Sequence, residues 1–158
     1  METLEKYVCF DTDDNMDGIC AVSPELQQLV IAIPSKSDNK PAISVHNYQK
    51  KATDGTFNWY QPSNLTLKPH RRPCGAICIN RNGSLVASAP LKAKKVKIFS
   101  TTDGALVLKV SRGAINSMVK HITFSYNSEM LSLTSSDKQT VHVWRCGLEQ
   151  LAHPEETK

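Results

Sequence analysis

Two tight groups of cations are the first candidates for chemistry in this sequence: His70-Arg71-Arg72 in one place, and Lys92, Lys94, Lys95 and Lys97 in another. The formal net charge is only +4, so clustering is what favours an anionic partner. The bland reading is a solvated loop and a charged strand edge. Aromatic side chains that could stack bases do not interleave with the lysines, so nucleic acid is not expected. Of the five cysteines (Cys9, Cys20, Cys74, Cys78, Cys146), Cys74 and Cys78 fall short of the four ligands of a closed zinc site and are read as reduced, core-facing thiols. His70 and Cys74 are four apart, but Pro73 lies between them and a strand follows, an arrangement that argues against a nucleophile and its base. With no nucleophile elbow, Walker loop or paired metal-ligand spacing, the residues point to binding rather than catalysis, with no cofactor.

The elements that must position these residues are strands, and they repeat. Ala76-Ile-Cys-Ile-Asn-Arg-Asn-Gly83 aligns with His121-Ile-Thr-Phe-Ser-Tyr-Asn-Ser128 at an offset of 45 residues, and without a gap Val96, Ile98 and Phe99 then fall on Val141, Val143 and Trp144. Ile77 and Ile79, Val96 and Ile98, Ile122 and Phe124, and Val141 and Val143 alternate with other residues, the period of half-buried strands. Asn80 to Gly83, Asn127-Ser128 and Thr102-Asp103-Gly104 read as hairpin loops. A looser copy precedes these, with strands at Gly18–Val22, Gln28–Ile33 and Ala42–His46. The segment from Gln49 to Pro69 reads as an insertion with turns at Asp54-Gly55 and Pro62-Ser63, part of it an outermost strand.

Each unit is thus an antiparallel meander of four strands, and a period of 40 to 45 residues is that of a propeller blade. The predicted fold is all-β: a partial WD-repeat-like propeller with approximate blades at 4–69, 70–110 and 111–146 and a polar tail at 147–158. The chain holds about three to three and a half blades, whereas closed propellers use four to eight. An open arc is expected, belonging to a fragment, a truncated paralogue or a chain that needs a partner. No apolar run follows a basic N-terminal stretch, and nowhere do about 18 apolar residues run together, so neither a signal peptide nor a spanning helix is read and a cytoplasmic location is expected.

The stretch Phe10 to Cys20, His70 with Asn80 ten residues on, Ser111-Arg112-Gly113, and Ser135 to Trp144 together resemble the PROPPIN family, the WIPI-type WD-repeat propellers of autophagy. The similarity runs from about residue 4 to 146 and spans only the middle part of a family member. The resemblance implies binding of phosphatidylinositol 3-phosphate or 3,5-bisphosphate through two headgroup pockets, each served by one arginine of an Arg-Arg-Gly signature. Here the first arginine is Ser111. The rest of that pocket falls on Ser88, Pro90, Ala93, Lys94 and Lys97, where only Ser88 matches outright and Lys97 is a partial substitute. A lysine brings charge without the bidentate fork that suits phosphate, so this pocket is expected to be degenerate.

The second pocket keeps Arg112, Ser136, Thr140 and His142 in the family's places, with Gln139 where a glycine is usual. Its chemistry is coherent: a guanidinium forks onto a phosphate, two hydroxyls donate to other oxygens, and an imidazole adds a donor. Thr140 and His142, two apart on a strand, share a face. The plain alternatives are a loop arginine, outer-face strand residues and a turn at Ser136. The family's long loop with an apolar membrane tip has no counterpart in Leu148 to Lys158, so weak, peripheral attachment to autophagosomal precursor or endosomal membranes is expected. Autophagy proteins are further expected partners. The competing hypothesis is a protein-interaction fragment with no lipid function.

Overall fold

The computed structural model describes residues 6–25, 28–53, 56–113, 117–136 and 140–147; the expectations for Asp54-Gly55, Gln139 and the tail past Gly147 lie outside the described residues. Strands β1 (Ala21–Val22), β2 (Gln28–Ser37), β3 (Lys40–Thr53) and β4 (Thr56–Leu67) form one antiparallel sheet in sequential order. Strands β5 (Cys74–Ile79), β6 (Leu85–Pro90), β8 (Lys95–Ser100) and β9 (Leu106–Ser111) form a second. The third contains β10 (Ser117–Phe124), β11 (Met130–Ser135) and β12 (Val141–Arg145), and completes itself with β7 (Lys92–Ala93), a two-residue strand from the loop between β6 and β8. An all-β arc of four-stranded antiparallel sheets is therefore what the alternating pattern builds.

The sheets pack face on face, and alternation decides which side chains meet. Val30, Ala32, Ile43, Val45 and Leu67 of the first sheet pack against Ile77, Val86 and Phe99 of the second. The other face of the second sheet, with Cys78, Leu85, Ala87 and Ile98, packs against Val119, Ile122, Leu131 and Leu133 of the third. A sheet covered on both faces has no polar side to present, which is why Leu85 to Ala89 are buried without a break. Each fully buried Val, Leu or Ile contributes about 1.5–3 kcal/mol relative to exposure.

Two readings change. The segment from Gln49 onward is not an insertion between blades: it is the rest of β3 and the whole of β4, a long ribbon. Pro62-Ser63 is not a turn but lies within β4, where the register shifts between Asn47 and Gln49, and a bulge is a place where a strand tolerates a proline. The hairpin between β2 and β3 is closed instead by Asp38-Asn39, both at positive φ (52° and 56°), the geometry of a two-residue primed turn. The second change concerns β12, where Val141 and Val143 are exposed at 66% and 61%. Their neighbours His142 and Trp144 instead share the face of Leu133 and Leu131, their cross-strand partners, and Trp144 packs, half-buried, against the core between the second and third sheets. Among the described residues β12 pairs only with β11, and its valines face outward.

Candidate phosphate-binding site

In a meander of four antiparallel strands, the second-to-third connection and the link to the next sheet leave from the same end. That end collects Lys40, the link 68–73, the loop 91–94, Arg112, Ser136 and Thr140. Arg112 follows β9; its backbone N–H donates to the Lys94 carbonyl at 2.8 Å and its Nη1 donates to the Ala93 carbonyl at 3.3 Å. Gly113 after it has φ 140°, a conformation that favours glycine there. Ala93 pairs with Ser117, Lys92 with Met118, and the Met118 carbonyl accepts the N–H of Ser136 at 3.1 Å. Strand β7 thus links the backbone that holds Arg112 in the second sheet to the strand that holds the backbone of Ser136 in the third. The Thr140 carbonyl accepts the Ser135 N–H, and Thr140 Oγ1 stands 3.5 Å from His142 Nε2. The His142 ring stacks on Trp144 with centroids 5.7 Å apart and planes at 12°. Arg112, Ser136, Thr140 and His142 therefore sit on neighbouring strand ends at the seam of the second and third sheets.

Of the other four predicted residues, Ser88 and Lys97 come together while Lys94 and Ser111 stay apart from them. Ser88 is fully buried, its Oγ 3.1 Å from His70 Nε2, and Lys97, its cross-strand partner, donates its Nζ to the Pro69 carbonyl. Lys94 is exposed, and Ser111 is an exposed residue across from Lys95 at the sheet's outer edge. His70 and Lys97 open onto a cleft of about 870 Å³ between the first and second sheets, walled by Pro41, Pro69 and Pro90 and lined by Lys40, Lys68, His70, Arg71, Arg72 and Lys97, with Ser88 buried behind His70.

Burial first, then the positive charge of Lys97, pushes His70 down to about 4, so the imidazole is neutral near pH 7 and serves as a hydrogen-bonding group rather than a cation. Lys68 is partly balanced by an exposed ion pair with Asp38 at 2.6 Å. The His70-Arg71-Arg72 cluster was visible in the sequence; Lys40 and Lys68 were not singled out, because only the β3–β4 register, Ile43 opposite Leu67, brings two residues 28 positions apart together. Cys74 is half-buried and Cys78 buried, and loss of water around each sulfur pushes both thiols up to about 12, inert as ligands or nucleophiles at neutral pH.

The PROPPIN family model matches residues 6–158. Autophagy-related protein 18 of Emericella nidulans is 27% identical over 92% of this chain and 36% of its own length, and that of Schizosaccharomyces pombe 25% identical over 85% and 38%. Among solved structures, Kluyveromyces lactis Hsv2 superimposes with a TM-score of 0.61 at 25% identity, covering 79% of this chain and 36% of that one. A complex of KlAtg21 with the coiled coil of AgAtg16 gives 0.65 at 19% identity, covering 84% and 41%, a likeness of fold. The chain spans little more than a third of the length of these relatives. With the family model running from the first described residue to Lys158, this chain belongs to the PROPPIN family.

Proposed function

We propose that this chain is a non-enzymatic phosphoinositide-binding module of autophagy, attaching peripherally to membranes that display phosphatidylinositol 3-phosphate or 3,5-bisphosphate. Arg112 supplies the guanidinium fork, Ser136 and Thr140 the hydroxyl donors, and His142 a further donor. The basic cleft beside His70 adds attraction with little selectivity, since Ser111 stands where the family has an arginine and Lys97 spends a donor on the Pro69 carbonyl. The observation that carries the reading is the anchoring of Arg112 on Ala93 and Lys94, beside the strand that positions Ser136. A docked protein partner is a second, compatible reading, favoured by the outward Val141 and Val143 of β12.

Sedimentation with vesicles tests the lipid reading. More protein should pellet with phosphatidylinositol 3-phosphate vesicles than with neutral ones, and Arg112→Ala should reduce the excess about tenfold or more, the value of a lost charged hydrogen-bond pair. Equal pelleting with both vesicles, or no effect of Arg112→Ala, refutes it.

A further inference from the structure

At the end of the arc opposite the basic cleft lies a site of different chemistry. Pro24 after β1, Arg81 in the turn between β5 and β6, and Ser125-Tyr126 in the turn between β10 and β11 meet there, around a pocket of about 450 Å³ floored by Ile79 and Phe124. Arg81 lies over the Tyr126 ring, 3.9 Å from its centroid, with Tyr126 74% exposed. A guanidinium stacked on a ring uses its face and keeps its N–H donors in the plane, and among the described residues no carboxylate forms an ion pair with Arg81. It is the one formal charge in the lining.

The turns beneath are locked. Asn80, fully buried, accepts the Leu85 N–H at 2.9 Å and donates to the hydroxyls of Ser84 and Ser128, both at 3.1 Å, tying the turn of the second sheet to that of the third. Ser125 Oγ accepts the Met130 N–H at 2.9 Å and donates to Asn127 at 2.8 Å. A preformed pocket loses little freedom when it is filled.

We infer that this pocket docks a short peptide in which an apolar side chain stands next to a carboxylate. The apolar side chain fills the space over Ile79 and Phe124, and the carboxylate takes the donors of Arg81. Exposed Tyr and Arg beside a small apolar pocket are the composition that anchors protein interfaces. A single cation suits one carboxylate, whereas a polyanion has the far denser cleft at the opposite end. The site is independent of the lipid reading.

The test is fluorescence anisotropy with the whole chain and a panel of fluorescein-labelled peptides on a Gly-Ser frame, each with a central Leu or Phe flanked by Glu, alongside versions with Glu→Gln or with the apolar residue replaced by Ser. Saturable binding of acidic-apolar members is expected, weakened about fivefold or more by Arg81→Gln, by Tyr126→Ser and by either peptide change, and unaffected by Arg112→Ala. Both side chains are exposed, so a thermal melt superimposable on wild type separates lost contact from lost folding. The proposal is overturned if no peptide saturates, if glutamine versions bind equally, or if Arg81→Gln leaves affinity unchanged. It is also overturned if an oligouridine RNA binds through Arg81 while the peptides do not.

Discussion

Replacing His70 with glutamine should remove an acid-sensitive contribution to stability and leave the hydrogen bond to Ser88 in place. The half-buried His70 imidazole lies against Ser88 Oγ beside Lys97, and desolvation first, then that lysine's charge, pushes it down from 6.5 to about 4. The folded state therefore prefers the neutral ring, while the unfolded chain takes up its proton first, near pH 6.5. Stability is complete above that value, falls as pH drops from 6.5 toward 4, and levels off below. The full shift corresponds to roughly 3 kcal/mol, of which about 2 kcal/mol is lost between pH 7 and pH 5. Urea unfolding followed by the fluorescence of Trp59 and Trp144 at those two pH values reads this directly. Wild type should lose about 2 kcal/mol more than His70→Gln over the interval. An inositol phosphate in the cleft would supply the opposite charge and flatten the wild-type slope. Identical pH dependence in the two proteins would show that His70 is not buried beside Lys97, and the cleft geometry would fall with it.

Gly83 has φ 75°, and a Cβ there would meet Val30 Cγ2 at 2.7 Å across the seam of the first two sheets, so Gly83→Ala should cost about 2–3 kcal/mol in urea unfolding; a change below half a kilocalorie would contradict this packing. Asn80→Ala leaves the buried Leu85 N–H and two hydroxyls without their partner and should cost about 2–3 kcal/mol, seen as a lower urea midpoint at unchanged slope. At pH 8 a thiol reagent should label the exposed Cys9 and Cys20 quickly, whereas Cys74, Cys78 and Cys146, their thiols raised by burial, should react only on unfolding; mass spectrometry of the labelled peptides checks the order.

The architecture was legible because a blade is a local object. Hairpin loops at Asn80 to Gly83 and Thr102 to Gly104, with period-two alternation on either side, define a meander without knowledge of its neighbours. What resisted was whatever depends on a neighbour. Val141 and Val143 alternate as a buried pair would, yet among the described residues no sheet covers the face of β12 that carries them, and the inward places go to His142 and Trp144. Strand β7 is only two residues, Lys92–Ala93, and its role comes from its pairing with Ser117 and Met118 in another sheet, which no local pattern announces.

The candidate site divides in the same way. Arg112, Ser136, Thr140 and His142 were nameable from a motif resemblance, but the contacts that hold Arg112 are to the carbonyls of Ala93 and Lys94, atoms every residue carries and no sequence distinguishes. Lys40 and Lys68 are ordinary surface lysines until antiparallel pairing delivers them to one cleft with His70 and Lys97.

The most direct test of phosphate recognition by Arg112 is a two-dimensional ¹H–¹⁵N NMR titration with inositol 1,3-bisphosphate, reading the Nε–Hε signal of Arg112, assigned by its disappearance in Arg112→Lys. A saturable shift of that signal together with the Ser136 and Thr140 amides is the predicted result. Shifts confined to the cleft around Lys40, Arg71 and Arg72, with the Arg112 signal still, would contradict it.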